Sequence, residues 1–361
     1  TGAEREDALV RLRSPNLLNS IVVDCATLGW VGEDDAKRIS VLTAISRKLP
    51  TPLWAVRTMG GTHTREPVNM LALMTPPEDI VHVSRLSHAA LSYQDTHALC
   101  HKLILIDDAA TLPRDALLSL QLLRSRGALS QAVVPRHNLS GSARALVTEV
   151  RGPIALVAVS SGNKRHQLGA ECCHIPTDTS PMHLTAVAAA ECAQYATLSR
   201  QRDAEHAVVV TRLHHLQRLL HRLPVVIPFA QRIQFPPTLM RQPGVQTRFL
   251  GLIAASALLH QYQRLRHDGH LVADERDFHI AVSLVSLLTA PESSPLGVPA
   301  TELWTALQHA GMQAFTKPDV FTLLPHWGYA SFRTAVADLL KHGYLTKDGD
   351  GRGVLHAYHV S

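Results

Sequence analysis

Between Leu53 and Ile175, five short apolar runs alternate with turns and helical stretches, and this alternation restricts the fold more than any other feature. The runs are Leu53 to Arg57, Ile80 to Leu86, Leu103 to Ile106, Ile154 to Val159 and Cys172 to Ile175. Runs of four to seven residues bounded by Pro, Gly or Asp suit strands covered on both faces, as in a parallel α/β sheet. A helix is predicted over Pro113 to Arg126, between the third and fourth runs. Two β-like stretches follow, Ala128 to Val134 and Ala143 to Val150. The polar turn Pro135 to Ser142 joins them as a hairpin, with Arg136 and His137 near its tip.

Helical periodicity flanks this core. Asp7 to Leu12, Leu17 to Leu28 and Asp34 to Leu49 form an N-terminal helical segment, 1–45, that runs up to Pro50 and Pro52. The α/β core is assigned to 46–180. A helical lid region, 181–290, contains a long mixed period from Leu184 to Arg222 and two apolar helices, Gln246 to Arg266 and Glu275 to Leu288. Pro291, Pro295 and Pro299, with Ser293, Ser294 and Gly297 between them, mark a linker. In 291–361, helices are predicted over Thr301 to Ala310, Pro318 to Leu324 and Ser331 to Leu340. Gly343 to Leu345, the turn Asp348 to Gly353 and Val354 to Tyr358 then close a β-hairpin, the layout of a winged helix-turn-helix.

With 46% hydrophobic and 18% charged residues, the chain has the material for a large core and does not resemble a disordered one. Aromatics at 5% argue against carbohydrate stacking or single-strand binding on aromatic platforms. No apolar run approaches the roughly 20 residues a bilayer span needs, and no signal peptide is visible, so no membrane partner and a cytoplasmic location are expected. Thr1 stands where an initiator Met would, as in a trimmed fragment or an expression scar.

The net charge of +5 permits a polyanion partner without demanding one. Charging all 22 His would take it to +27, so phosphate-backbone binding is expected to strengthen as pH falls through about 6.5. The bland reading is a His-rich solvated surface. His214, His215 and His221 on a basic helical stretch are read in that way. The five Cys fit neither a disulfide framework nor paired zinc knuckles. Cys172, Cys173 and His174 invite a metal, but neighbours in a strand point to opposite faces, so buried thiols are expected.

The chemistry-bearing candidate is Lys102-Leu-Ile-Leu-Ile-Asp107-Asp108, an apolar strand ending in two acids. A Walker B element places one such carboxylate on magnesium, here Asp107, and the next near the attacking water, here Asp108. Ser160-Ser161-Gly162-Asn163 ends the next strand, where a polar γ-phosphate sensor sits, which makes Asn163 a catalytic candidate and Ser161 a cofactor-binding one.

These pieces resemble the AAA+, minichromosome-maintenance-like helicase modules of mobile-element primase–helicases. The resemblance runs through Gly29-Trp-Val-Gly-Glu33, Ser46 to Leu53, Pro76 to Asp79 with Val83 to Leu86, and the Lys102 to Asp108 strand. It continues in Arg151-Gly-Pro153, Pro228-Phe-Ala with Phe235-Pro236, and Leu259-His-Gln-Tyr-Gln-Arg264. It implies an AAA+ parallel-sheet core with a helical N-terminal collar and lid, an ATP/magnesium site, DNA as partner and assembly into an oligomer.

The departures are as informative. The phosphate loop that the resemblance implies falls on Arg57 to Thr64, where Gly60, Gly61 and Thr62 offer backbone N–H groups. His63 or Thr64 stands where the family's lysine reaches the β- and γ-phosphates, and neither supplies a permanent charge. The trans-acting arginine is also missing from Gly169 to Cys173. Such an arginine contributes about 10³–10⁵ in rate. A weak or absent ATP site is therefore expected, unless Arg57, Arg65 or a neighbouring chain supplies the cation and the chain is an active helicase.

The resemblance puts a pore hairpin at Pro135 to Ser142, so Arg136, His137 and Arg144, with Arg124 and Arg126 from the preceding helix, are candidates for DNA phosphates. In the terminal unit Arg333 on the third helix and Arg352 on the wing are the DNA candidates. The expected function is a DNA-associated, ATPase-deficient subunit of a homo- or hetero-oligomer with other replication or mobile-element proteins. A protein-binding adaptor is the other alternative.

Overall fold

The computed structural model describes residues 2–58, 66–133, 146–160, 168, 172–196, 199–240, 243–288, 298–312, 314–341, 343–348 and 357–360. It divides into two compact units, 1–290 and 291–361.

The first unit opens with helices α1 (Gly2–Leu12), α2 (Leu17–Thr27) and α3 (Asp34–Ile45). There follow β1 (Trp54–Thr58), α4 (Glu66–Met74), β2 (Ile80–Val83), α5 (His88–Ser92), β3 (Lys102–Ile106) and α6 (Arg114–Arg126). The hairpin β4 (Ala128–Val133) and β5 (Leu146–Arg151) precedes β6 (Ile154–Ser160) and β7 (Cys173–Ile175). Strands β2, β3, β6, β1 and β7 lie side by side in that order, and each described pairing is parallel. The five apolar runs of the sequence are therefore the five strands of one α/β sheet. The hairpin pairs Ala128 with Arg151 through Val133 with Leu146.

The short runs are apolar throughout because both faces of the sheet are covered, and all seven residues of β6 are buried. Successive residues feed different cores. Trp54, Val56, Ile104, Ile106, Leu156 and Ala158 pack with Leu117, Leu120 and Leu123 of α6 and with Leu129 and Val150 of the hairpin. Ala55, Leu103, Leu105, Ala155, Val157 and Val159 pack on the other side, with α2, α3 and α4. The N-terminal helices thus share one core with the sheet. Cys172 falls in the first core and Cys173 in the second, as strand alternation requires. Among the described residues no group of three or more His, Cys, Asp or Glu side chains is placed to hold a metal.

Beyond the sheet the chain is helical. The predicted period from Leu184 to Arg222 resolves into α7 (Pro181–Ala196) and α8 (Ser199–Leu219). A short strand β8 (Val225–Val226) and helices α9 (Pro237–Met240) and α10 (Val245–Leu259) follow. The helix predicted to reach Arg266 stops at Leu259. Strands β9 (Arg266–His267) and β10 (His270–Val272) fold back on β8, and α11 (Glu275–Ser283) completes the unit. Phe229, Phe235, Phe249 and Phe278 meet edge to face, with centroids 5.4–5.9 Å apart.

The stretch Leu259 to Arg264 is a polar hub. Tyr262 Oη donates to the Leu219 carbonyl at 2.9 Å, and Gln263 Nε2 donates to the Leu12 and Ser14 carbonyls at 3.0 and 2.8 Å. Arg264 forks Asp277 at 2.7 and 2.8 Å. Ser256 Oγ donates to the same carboxylate at 2.7 Å, and Asp277 in turn accepts from the Asp274 N–H in a capping box at the start of α11.

The second unit contains α12 (Val298–Ala310), β11 (Ala314–Phe315), α13 (Lys317–Leu323), α14 (Tyr329–Lys341), β12 (Leu345–Asp348) and β13 (Ala357–Val360). Its sheet has the order β11, β13, β12 with antiparallel pairings. Leu303, Leu307, Phe315, Val320, Phe332, Val336 and Leu339 form its own core. Among the described residues no helix is long and apolar enough to cross a membrane.

Burial pushes the Cys25 and Cys173 thiols up to about 12, so both stay protonated in the fold after the unfolded chain has begun to lose its thiol protons near 9.0. The folded state then holds the extra protons, and stability falls as pH rises from 9 toward 12, by about 1.4 kcal/mol per pH unit for each thiol. Lys48, pushed down to about 8 from 10.5, acts in the opposite sense between those values. The expected result is that denaturant midpoints of the wild type and a Cys25→Ala/Cys173→Ala variant converge between pH 8.5 and 10.5. Parallel curves would show that the thiols ionise freely.

Candidate functional site

Parallel strands of an open sheet present their C-terminal ends together, and of the sequence candidates Asp107 and Asp108 lie there, after β3. Asp107 follows β3 directly. Its two carboxylate oxygens accept from the neighbouring strand side: Oδ1 lies 2.7 Å from His82 Nε2, and Oδ2 accepts from Ser84 Oγ at 2.5 Å. The Asp107 N–H also donates to the Val83 carbonyl at 3.3 Å. Asp108 turns the other way and caps the single turn Ala109–Thr111, its Oδ1 accepting from the Ala110 N–H at 3.0 Å. The structure therefore brings both acids to the edge where the resemblance needs them, with Asp107 anchored to β2 and Asp108 engaged as a cap.

Arg57, the cation offered for an unusual phosphate contact, is 1% exposed at its side chain. Nη2 donates to Glu33 Oε1 at 2.5 Å and Nε to Thr177 Oγ1 at 3.0 Å. Glu33 is 4% exposed and also accepts from Trp30 Nε1 at 2.9 Å and from the Asp178 N–H at 2.9 Å. Arg57 is thus a buried cation at the end of β1, already paired with Glu33. A guanidinium inside a sheet demands a carboxylate, and the chain supplies one from the loop before α3.

Gly60, Gly61, Thr62, His63, Thr64, Arg65, Ser161 and Asn163 lie outside the described residues, as do Arg136, His137, Arg144 and Arg352. Of the DNA candidates that are described, Arg124 lies over the Trp54 ring, 4.9 Å from its centroid, a stacking contact rather than an open one. Arg126 is exposed at the end of α6. Arg333 is exposed on α14, near Tyr329, which is 60% exposed and has Lys317 Nζ 4.3 Å from its ring centroid.

Sequence reasoning missed His82 and Ser84. His82 lies on β2 and Ser84 follows its last residue, Val83, so nothing in the strand pattern marks the pair. It also left Glu33 as part of a resemblance without a partner. Comparison with protein-family models gave no match, and comparison with curated proteins gave none either.

Proposed function

We propose that the chain is an AAA+-like, DNA-associated subunit of an oligomer in mobile-element replication or a related nucleic-acid process, and that it does not hydrolyse ATP efficiently. The observation that carries this is the lysine-less segment Gly60 to Thr64 after β1, set beside an acid pair that ends β3. Charge neutralisation is most of what phosphoryl transfer requires, and this combination leaves a triphosphate with too little of it. The strand order β2, β3, β6, β1, β7 supports an ancestral nucleotide fold, since it sets the acid-bearing strand one strand away from the strand that enters the loop. The second unit supports nucleic-acid contact: its helix, strand, two helices and two strands follow the order of a winged helix, with Arg333 and Tyr329 exposed on the third helix.

Steady-state ATP turnover by the purified chain, with and without duplex DNA, is expected to stay at background and to be unchanged by Asp108→Asn. Turnover that Asp108→Asn abolishes would refute the ATPase-deficient part. Duplex binding whose log K falls linearly with log salt is expected for the DNA-associated part, and its absence leaves a protein-binding adaptor.

A further inference from the structure

At the edge of the sheet where the parallel strands begin, opposite the Asp107 end, cations gather from separate segments. Lys48 stands ahead of β1, His101 and Lys102 lie at the start of β3, Arg218 is in the last turn of α8 and Arg222 follows that helix. Two carboxylates stand among them, Glu78 and Asp79, and both are engaged. Arg218 forks Glu78 at 2.7 and 3.1 Å and holds its carboxyl down to about 2, while buried Arg47 grips Asp79 at 2.7 Å.

The other cations bond carbonyls rather than carboxylates, and Glu78 and Asp79 only partly offset their charge. Lys48 Nζ donates to the Leu220 carbonyl at 2.9 Å and Lys102 Nζ to the Glu78 carbonyl. Arg222 is exposed and, among the described residues, has no carboxylate partner. Burial first, then Arg47 and Arg222 against the opposing pull of Asp79 and Glu78, push the Lys48 ammonium down to about 8. Burial, with Arg222 and Lys48 adding to it, lowers His101 although its Nδ1 lies 2.8 Å from the Arg47 carbonyl. His101 is fixed at this rim with a positive φ of 59°, its N–H donating to the Pro153 carbonyl at 2.7 Å.

Charge spread along an edge suits a polyanion with repeated charges better than a single ion. We propose that this edge contacts the phosphodiester backbone of duplex nucleic acid, with Lys102 and Arg222 as the phosphate-facing groups. The proposal rests on the DNA-associated reading and gives it a surface separate from the second unit.

The test is anisotropy of a labelled duplex with the full chain between 50 and 200 mM salt, on the wild type, Arg222→Glu, Arg222→Glu/Lys102→Gln and Arg333→Glu. Arg222→Glu is expected to weaken binding about tenfold at fixed salt and to make the log–log salt slope shallower by about 0.9, one phosphate contact. The double variant goes further, and melting by circular dichroism checks that both variants are folded. Wild-type binding that Arg333→Glu weakens but the edge variants leave intact overturns this inference while the DNA-associated reading stands. A wild type that binds no duplex overturns both. Polyglutamate that displaces the duplex as well as unlabelled duplex does, at matched charge, overturns the nucleic-acid assignment in favour of an acidic protein.

Discussion

Replacing Asp277 by Ala is expected to destabilise the 1–290 unit by about 3–5 kcal/mol, because buried Arg264 loses the carboxylate it forks and keeps only the partly exposed Asp274 at 3.4 Å. Asp277 is 0% exposed and Arg264 2% exposed at the side chain, so bulk solvent screens neither charge. The same carboxylate accepts from Ser256 and from the Asp274 N–H, so its loss also leaves a buried hydroxyl unpaired and half a capping box empty. Denaturant-dependent hydrogen exchange on peptides from 245–288 measures the effect unit by unit. Such a readout is needed because two separate cores need not unfold in one transition. An Asp277→Leu/Arg264→Met variant is expected to lie closer to the wild type than the single change does, since an apolar pair removes both charges together. A single variant within about 1 kcal/mol of wild type would mean that water reaches this pair.

Glu33→Gln is the second large effect. It keeps the shape of the side chain and removes the charge that balances Arg57, and a loss of about 3 kcal/mol or more is expected. The change is felt at three places at once, because Glu33 also receives the Trp30 indole N–H and the Asp178 backbone N–H. The loop before α3 and the segment after β7 should therefore exchange faster together, and the Trp30 emission should shift with them. Glu33→Gln/Arg57→Met separates the causes: recovery identifies the uncompensated guanidinium, and no recovery assigns the loss to the two N–H groups. Unchanged exchange at Trp30 and Asp178 in the single variant would sink the claim that this carboxylate ties the segments.

The sheet was legible because its strands are buried on both sides, and an apolar run with sharp ends has few other uses. The break between α7 and α8 and the early stop of α10 were not. In both places the periodicity carries on while the backbone turns, and at α10 the turn is set by Tyr262, Gln263 and Arg264 reaching carbonyls and a carboxylate far away in the chain. Such polar residues look like a solvated helix end until their distant partners are known. The acid pair was placed correctly at the end of β3, but its bonding was not foreseen. Asp107 is held by His82 and Ser84, some twenty-five positions earlier, and no local pattern around Asp107 points to them.

The strict division of alternate strand residues between two cores makes the sheet an insulating wall. A volume change at Leu156 or Ala158 presses on α6 and the hairpin, while one at Ala155 or Val157 presses on the N-terminal helices and α10. Sequence drift on one side can be absorbed there without disturbing the other. A lineage could in this way let one function decay while the opposite wall kept its shape.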